Sequence, residues 1–229
     1  MCGRFTLTQD IQTIAETIMS PRTIVIPASL QVVPPRYNIA PTQDVVTVMS
    51  NESLHLDLLR WGLIPSWSKE ESIGSRMINA RAETLTEKPS FKRLLHGKRC
   101  LVVTDGFYEW RQEAGTKSKT PMYIMLKSKE PFTFASLWDN WHSPDGKQIR
   151  TCTIITTQPN ELLATIHNRM PAILTPEARE IWLDPTLHDE RALVPLLAPY
   201  NSDEMTARPV SRLINDPKST YNPLVEMVE

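Results

Sequence analysis

The sequence predicts a single α+β domain over residues 1–229, with a mostly antiparallel, strongly bent or barrel-like sheet flanked by short helices. Three observations carry that expectation. Strand-like runs follow one another through short turns, the pattern of hairpins rather than of alternating β–α units. The helical stretches are short. Nineteen prolines against seven glycines favour rigid turns and extended segments. The richest proline stretch, Val33–Pro41, is too short and too apolar to be a hinge. No repeat, low-complexity tract or long linker divides the chain.

The elements are read in chain order. Ile11, Ile14, Ala15 and Ile18 recur on one face, which predicts a helix over Thr8–Met19 with Thr8 as N-cap. Asp44–Ser50 and Leu54–Trp61 read as a hairpin about Asn51-Glu52, the second strand alternating Leu54, Leu56, Leu58 with His55, Asp57, Leu59. Lys88–His96 reads as a short basic helix, Lys98–Thr104 as a buried strand and Asp105-Gly106 as its turn. Pro121–Lys127, Phe132–Trp138 and Gln148–Thr157 read as consecutive strands, the last two parted by the turn residues Ser143-Pro144-Asp145-Gly146. Asn160–Ile166 and Thr175–Leu183 are expected helices, the second with Thr175 as N-cap and Pro176 at its first position. Asp189–Leu197 is a third, interrupted at Pro195, and Met205–Val210 a final strand.

Charge and cysteines bound the function. With 25 Lys and Arg against 26 Asp and Glu, the formal net charge is −1. That argues against a strongly basic nucleic-acid binder but leaves room for a local basic groove. Cys2, Cys100 and Cys152 form no CxxC pair, which excludes a usual zinc site and a disulfide framework and fits a reducing cytosol. Cys100 and Cys152 lie within apolar strand patterns and read as core packing. The N-terminus carries no apolar signal region, and no run approaches membrane-spanning length, so a cytoplasmic protein that is a monomer by default is expected. No metal or nucleotide cofactor is indicated, since glycine-rich phosphate loops and ligand-spaced histidines do not occur.

Four places carry residues suited to chemistry. The first is Cys2. Once Met1 leaves, Cys2 bears a free α-amine and a thiol on adjacent carbons. That aminothiol condenses with an aldehyde: the amine forms a Schiff base and the thiol closes it to a thiazolidine. An internal cysteine cannot do this, because its nitrogen is in an amide. Reference pKa values of about 7.7–8.0 for the amine and about 8.5 for the thiol place both near neutrality. Position alone favours the other reading, a small buried residue in an N-terminal strand. Asn79 and Arg81, two apart, share a face if the segment is extended, where an amide and a guanidinium could hold a nucleophile and a phosphate; a solvated edge strand is the other reading. Glu109 lies between Tyr108 and Trp110, surroundings that raise a carboxyl's pKa and suit it to acid–base work, though a surface glutamate on an amphipathic strand fits as well. His167 follows a helix and is a natural proton shuttle, with Arg169 two positions on; a lone histidine is more often structural.

Taken in order, MCGRF at the start, RYNIAP (36–41), RWGLIPSW (60–67), INARAET (78–84), DGFYEW (105–110), IHNRMP (166–171) and PVSRLIN (209–215) resemble the SOS response-associated peptidase family, also called abasic-site processing proteins. The likeness runs nearly end to end. It implies action on abasic sites in single-stranded DNA, whose open-chain deoxyribose supplies the aldehyde that the N-terminal aminothiol requires. It implies a covalent thiazolidine crosslink through mature Cys2 that shields the lesion, with associated peptidase-like removal of Met1. By motif position, Asn79 orients the Cys2 terminus, Glu109 serves as acid or base at the sugar, and His167 moves a proton to or from the sugar oxygen. Arg4, Arg81 and Arg169 are implied to pair with flanking phosphates, Arg36 and Arg212 to extend that groove, and Trp67 to stack on a base or wedge at a strand junction. The run Lys92-Arg93…Lys98-Arg99 either lengthens the groove or is a solvated helix face. Two other readings stand beside this one: an amidohydrolase with Cys2 as N-terminal nucleophile, and a nucleic-acid reader in which Cys2 is incidental.

Overall fold

The computed structural model describes residues 2–51 and 53–223. Met1, whose removal the family resemblance implies, and Glu52 of the expected hairpin turn lie outside them. β1 (Phe5–Leu7) leads into α1 (Ile11–Ile18), whose four predicted apolar residues are buried. The cap differs from expectation. Asp10 Oδ1 accepts the Thr13 N–H at 2.9 Å and starts the helix at Ile11. Thr8 is held elsewhere: its N–H and hydroxyl both donate to Asp105 Oδ2, at 2.5 and 2.6 Å.

β2 (Arg36–Ile39) precedes the predicted hairpin, β3 (Asp44–Ser50) and β4 (Leu54–Trp61), which pairs in register from Asp44↔Arg60 to Ser50↔Leu54. β5 (Asn79–Arg81), α2 (Pro89–Leu95) and β6 (Arg99–Thr104) follow. β7 (Gly106–Gln112) begins where a turn was expected. Asp105 is not a free turn residue, because its carboxylate takes Thr6 Oγ1 at 2.5 Å as well as Thr8, and so fastens β1 beside β7. β8 (Lys119–Leu126), β9 (Phe132–His142) and β10 (Gln148–Thr157) run as consecutive strands, β9 four residues longer than the sequence indicated because it stays paired with β10 to His142↔Gln148. α3 (Glu161–Ala164), β11 (Met170–Pro171) and α4 (Pro176–Leu183) follow, α4 capped by Thr175 as expected. α5 (Glu190–Leu193) passes into a 3-10 turn at Val194–Leu197, the interruption that Pro195 predicts, and β12 (Met205–Pro209) closes the list of strands.

Two sheets result. One is five-stranded in the order β12-β8-β7-β1-β2. The other runs β11-β10-β4-β3-β6-β9 and closes on itself through β9–β10, making a five-stranded barrel of β10, β4, β3, β6 and β9. Most pairs are antiparallel; β10 pairs parallel with β4 and β5. The α+β fold with its bent sheet is therefore as the sequence predicts. Val45, Val48, Leu101, Val103, Phe134 and Ile154 are among the side chains that fill the core, and Cys100 and Cys152 are fully buried in it. Among the described residues no helix is long and apolar enough to cross a membrane.

Arg99 corrects one expectation. It is buried, with its guanidinium donating to Leu95 O, Trp182 O and Asp184 O at 2.5–2.7 Å, so it gathers carbonyls at the ends of α2 and α4. Lys98 and Arg93 donate to Asp139 and Lys92 lies 3.8 Å from Glu190. All four cations of that run have acceptors within this chain, and the Lys92 and Arg93 side chains stay 53 % and 59 % exposed, as on a solvated helix face.

Candidate active site

The N-terminus lies where the two sheets meet. β1 pairs with β7 as Phe5↔Phe107 and Thr6↔Gly106, and Tyr108 N–H donates to Arg4 O at 3.0 Å, so the chain before Phe5 continues alongside Tyr108 and Glu109. From the barrel side, Asn79 of β5 donates its Nδ2–H to Cys2 O at 2.9 Å. Asn79 is fixed by β5, whose register with β10 is Ile154↔Asn79. Its Oδ1 is buried without a hydrogen-bond partner among the described residues. A buried, unpartnered acceptor costs stability, and here it sits on the side chain that holds the Cys2 carbonyl.

Cys2 is fully buried. Burial, and next the Glu109 charge, push its thiol well above the ordinary range, so the sulfur is a thiol at rest. Glu109 is 2 % exposed. Burial pushes its carboxyl up to about 7, near the pH at which a proton acceptor is most useful. The influence runs one way: the Glu109 charge raises the Cys2 thiol, whereas burial is what raises Glu109.

His167 stands just before β11, which pairs with β10 at Thr156↔Pro171. Its Nδ1 accepts the Arg169 N–H at 3.1 Å. A backbone N–H only donates, so the neutral ring carries its proton on Nε2. The imidazole pKa is lowered, first by burial, and more weakly by the Lys119 ammonium, whose field also reaches Glu109. Lys119 was not singled out in the sequence; it opens β8, and only the β7–β8 hairpin brings it here.

The cations divide into open and engaged. Arg81 is exposed and lines a cavity of about 260 Å3 with Arg76, Asn79, Lys88 and Thr156. Arg169 is buried. Its guanidinium forms a bidentate pair with Glu83 at 2.6 and 2.9 Å and donates to Thr156 O at 2.6 Å. Hydrogen bonding from Arg169 in turn lowers the Glu83 pKa. Arg4 donates to Asn38 Oδ1 at 2.7 Å and to Ile214 O at 2.8 Å, so it anchors the C-terminal segment beside Trp110. Arg36 donates to Gln43 Oε1 and Asp44 O, and Arg212 to Ser118 Oγ at 2.9 Å. Trp67 is 63 % exposed. Sequence reasoning named the candidate groups but missed what fastens them, namely Glu83, Thr156 and Asp105, whose partners are distant in the chain.

The chain is similar to known proteins along nearly its whole length. Residues 1–217 match the family described as SOS response associated peptidase (SRAP). Abasic site processing protein YoqW of Bacillus subtilis is 48% identical over 232 residues, covering 99% of each chain. Abasic site processing protein HMCES of Gallus gallus is 34% identical over 212 residues, covering 79% of this chain and 62% of the relative. A crystal structure of a protein from Bacteroides thetaiotaomicron superposes with a TM-score of 0.84 at 30% identity, covering 96% of this chain and 97% of that one.

Proposed function

Because the chain belongs to the SOS response associated peptidase family, we propose that it processes abasic sites in single-stranded DNA by forming a thiazolidine crosslink through Cys2. The observation that carries this reading is the hydrogen bond from Asn79 to Cys2 O beside a Glu109 carboxyl raised to about 7. Removal of Met1, a peptidase-like cleavage of the bond before Cys2, is the enabling step.

The chemistry follows from the groups present. In the closed hemiacetal, Glu109 takes the proton of the anomeric hydroxyl as the bond from C1′ to the ring oxygen breaks. His167 gives its Nε2 proton to that ring oxygen and regains one at Nε2, through water, from the newly protonated Glu109, leaving the free aldehyde. The Cys2 amine, held by Asn79 through the adjoining carbonyl, adds to the aldehyde carbon, and one water leaves as the Schiff base forms. The sulfur then adds to the same carbon while its proton ends on the ring nitrogen. The balance is aldehyde plus aminothiol giving thiazolidine plus water. A metal-free path of this kind needs only pre-positioned acids and bases.

Arg81 is the first phosphate contact, open beside the Asn79 cavity. Arg4, Arg36 and Arg212 contribute their remaining N–H groups to the strand's path, and Arg169 acts from behind by setting His167 and Glu83. Trp67 stacks on an unpaired base.

The test mixes purified protein with a single-stranded oligonucleotide bearing one abasic site, followed by a denaturing gel and intact mass. A band of protein plus oligonucleotide less one water is expected in wild type, and none in Cys2→Ala or in protein retaining Met1. If protein shown by mass to begin at Cys2 gives no such band, this reading fails, and the amidohydrolase with Cys2 as nucleophile takes its place.

A further inference from the structure

Trp67 stands 63 % exposed on the turn after β4, yet the turn is tied down on both sides of it. Ser66 N–H donates to Asp139 Oδ2 at 2.8 Å. Arg93 Nη2 reaches the same oxygen at 3.0 Å and the Ser66 hydroxyl at 2.8 Å. On the other side, Trp141 Nε1 donates to Ser68 O at 2.8 Å, and the Ser68 N–H closes the turn on Pro65 O at 2.8 Å. The Asp139 side chain is 1 % exposed, and its second oxygen takes Lys98 Nζ at 2.5 Å and the Asn140 N–H at 2.9 Å. Burial by itself raises this carboxyl; the donors around it outweigh burial and hold it below the usual carboxylate range.

An indole left in water forgoes the gain of burying it. Fixing its two chain neighbours while the ring stays out keeps that ring ready for an external partner at low ordering cost. A flat aromatic face takes another flat face, and an unstacked nucleobase offers one regardless of sequence. We propose that Asp139 is a positioning residue: through the Ser66 N–H, and together with Arg93, it holds the Trp67 indole in the exposed orientation in which it stacks on an unpaired base. The identity of the occupant rests on the single-stranded DNA reading above; the clamp itself does not.

Two variants test the clamp. Asp139→Asn replaces one acceptor oxygen with an NH2 group. Arg93→Ala removes the half of the clamp whose side chain is 59 % exposed and so leaves the core intact. All six tryptophans are labelled as 5-fluorotryptophan, and Trp67→Phe identifies the Trp67 fluorine resonance. The expected result is a narrow Trp67 signal in wild type that broadens and moves toward the solvent position in both variants, with the signals of buried Trp61 and Trp182 unchanged. Reversible binding is then measured by anisotropy on an abasic oligonucleotide in a Cys2→Ala background. Trp67→Ala weakens binding about tenfold, and Asp139→Asn or Arg93→Ala about threefold when Trp67 is present and not at all when it is alanine. An unchanged Trp67 signal in both variants overturns the proposal, as does an affinity loss that persists undiminished without Trp67. If protein with Trp67 intact does not bind the oligonucleotide, the DNA reading fails, while the fluorine spectra still decide the clamp.

Discussion

Glu109 is the residue at which burial and chemistry meet. Burial moves its carboxyl from 4.5 to about 7, so the folded protein binds that proton more tightly than the unfolded chain. The associated stability is complete below pH 4.5 and is lost as pH rises through about 7. Glu109→Gln removes the titration. The stability difference between wild type and Glu109→Gln is therefore expected to shift against wild type across this window, measured as unfolding midpoints at a series of pH values. With Glu109 as the base proposed above, the wild-type crosslinking rate is expected to carry a rise centred near pH 7. Glu109→Gln is expected to slow it by about 10²-fold or more and to flatten that rise; a variant that kept the wild-type profile would assign the acid–base role elsewhere.

The elements that place Glu109 depend on a glycine. A Cβ on Gly106 would lie 2.1 Å from Tyr123 Oη and 2.3 Å from its ring. The close approach of β7 to Tyr123 is what lets Thr6 Oγ1 meet both Asp105 at 2.5 Å and Tyr123 Oη at 3.0 Å. Gly106→Ala is expected to cost about 1–3 kcal/mol or more, read by denaturant unfolding, and to reduce crosslinking by loosening β1. Gly97→Ala is the control, since a Cβ there meets nothing within 4 Å. The sequence marked Asp105-Gly106 as a turn for sound local reasons, as both residues favour turns. Its outcome as clamp and strand start was not legible, because Thr6, Thr8 and Tyr123 supply the reason from far away in the chain. The cap of α1 shows the same thing at smaller scale. Thr8 and Asp10 are both good caps, and contact with Asp105 takes Thr8 away.

Over the whole molecule, a formal charge of −1 makes DNA affinity a matter of which cations remain open. For single strands the salt dependence scales at about 0.7 per phosphate neutralised. Arg81→Ala is expected to lower the slope of log affinity against log salt by about that amount. Arg169→Ala is expected to leave the slope nearly unchanged while lowering the melting temperature, because its guanidinium is committed to Glu83 and Thr156. Equal slope changes in the two variants would place Arg169 on the phosphates. The fold itself was largely readable at this scale. The β3–β4 hairpin, the strands β8 to β10 and the capped α4 follow from alternation, turn residues and caps, all of which act over a few residues.

The sequence by itself determined an α+β chain, the candidate reactive groups and the family its motifs resemble, since periodicity, turn chemistry and a cysteine next to the initiator methionine are local properties. Only the tertiary structure decided that β9 and β10 close a barrel, that Asn79 reaches Cys2, that Glu109 loses water, and that Arg169 and Arg99 are bound within the protein while Arg81 is left open. Pairing between distant strands, desolvation and the choice of partner for a charged side chain depend on what folding brings alongside, and no window of neighbouring residues contains that information.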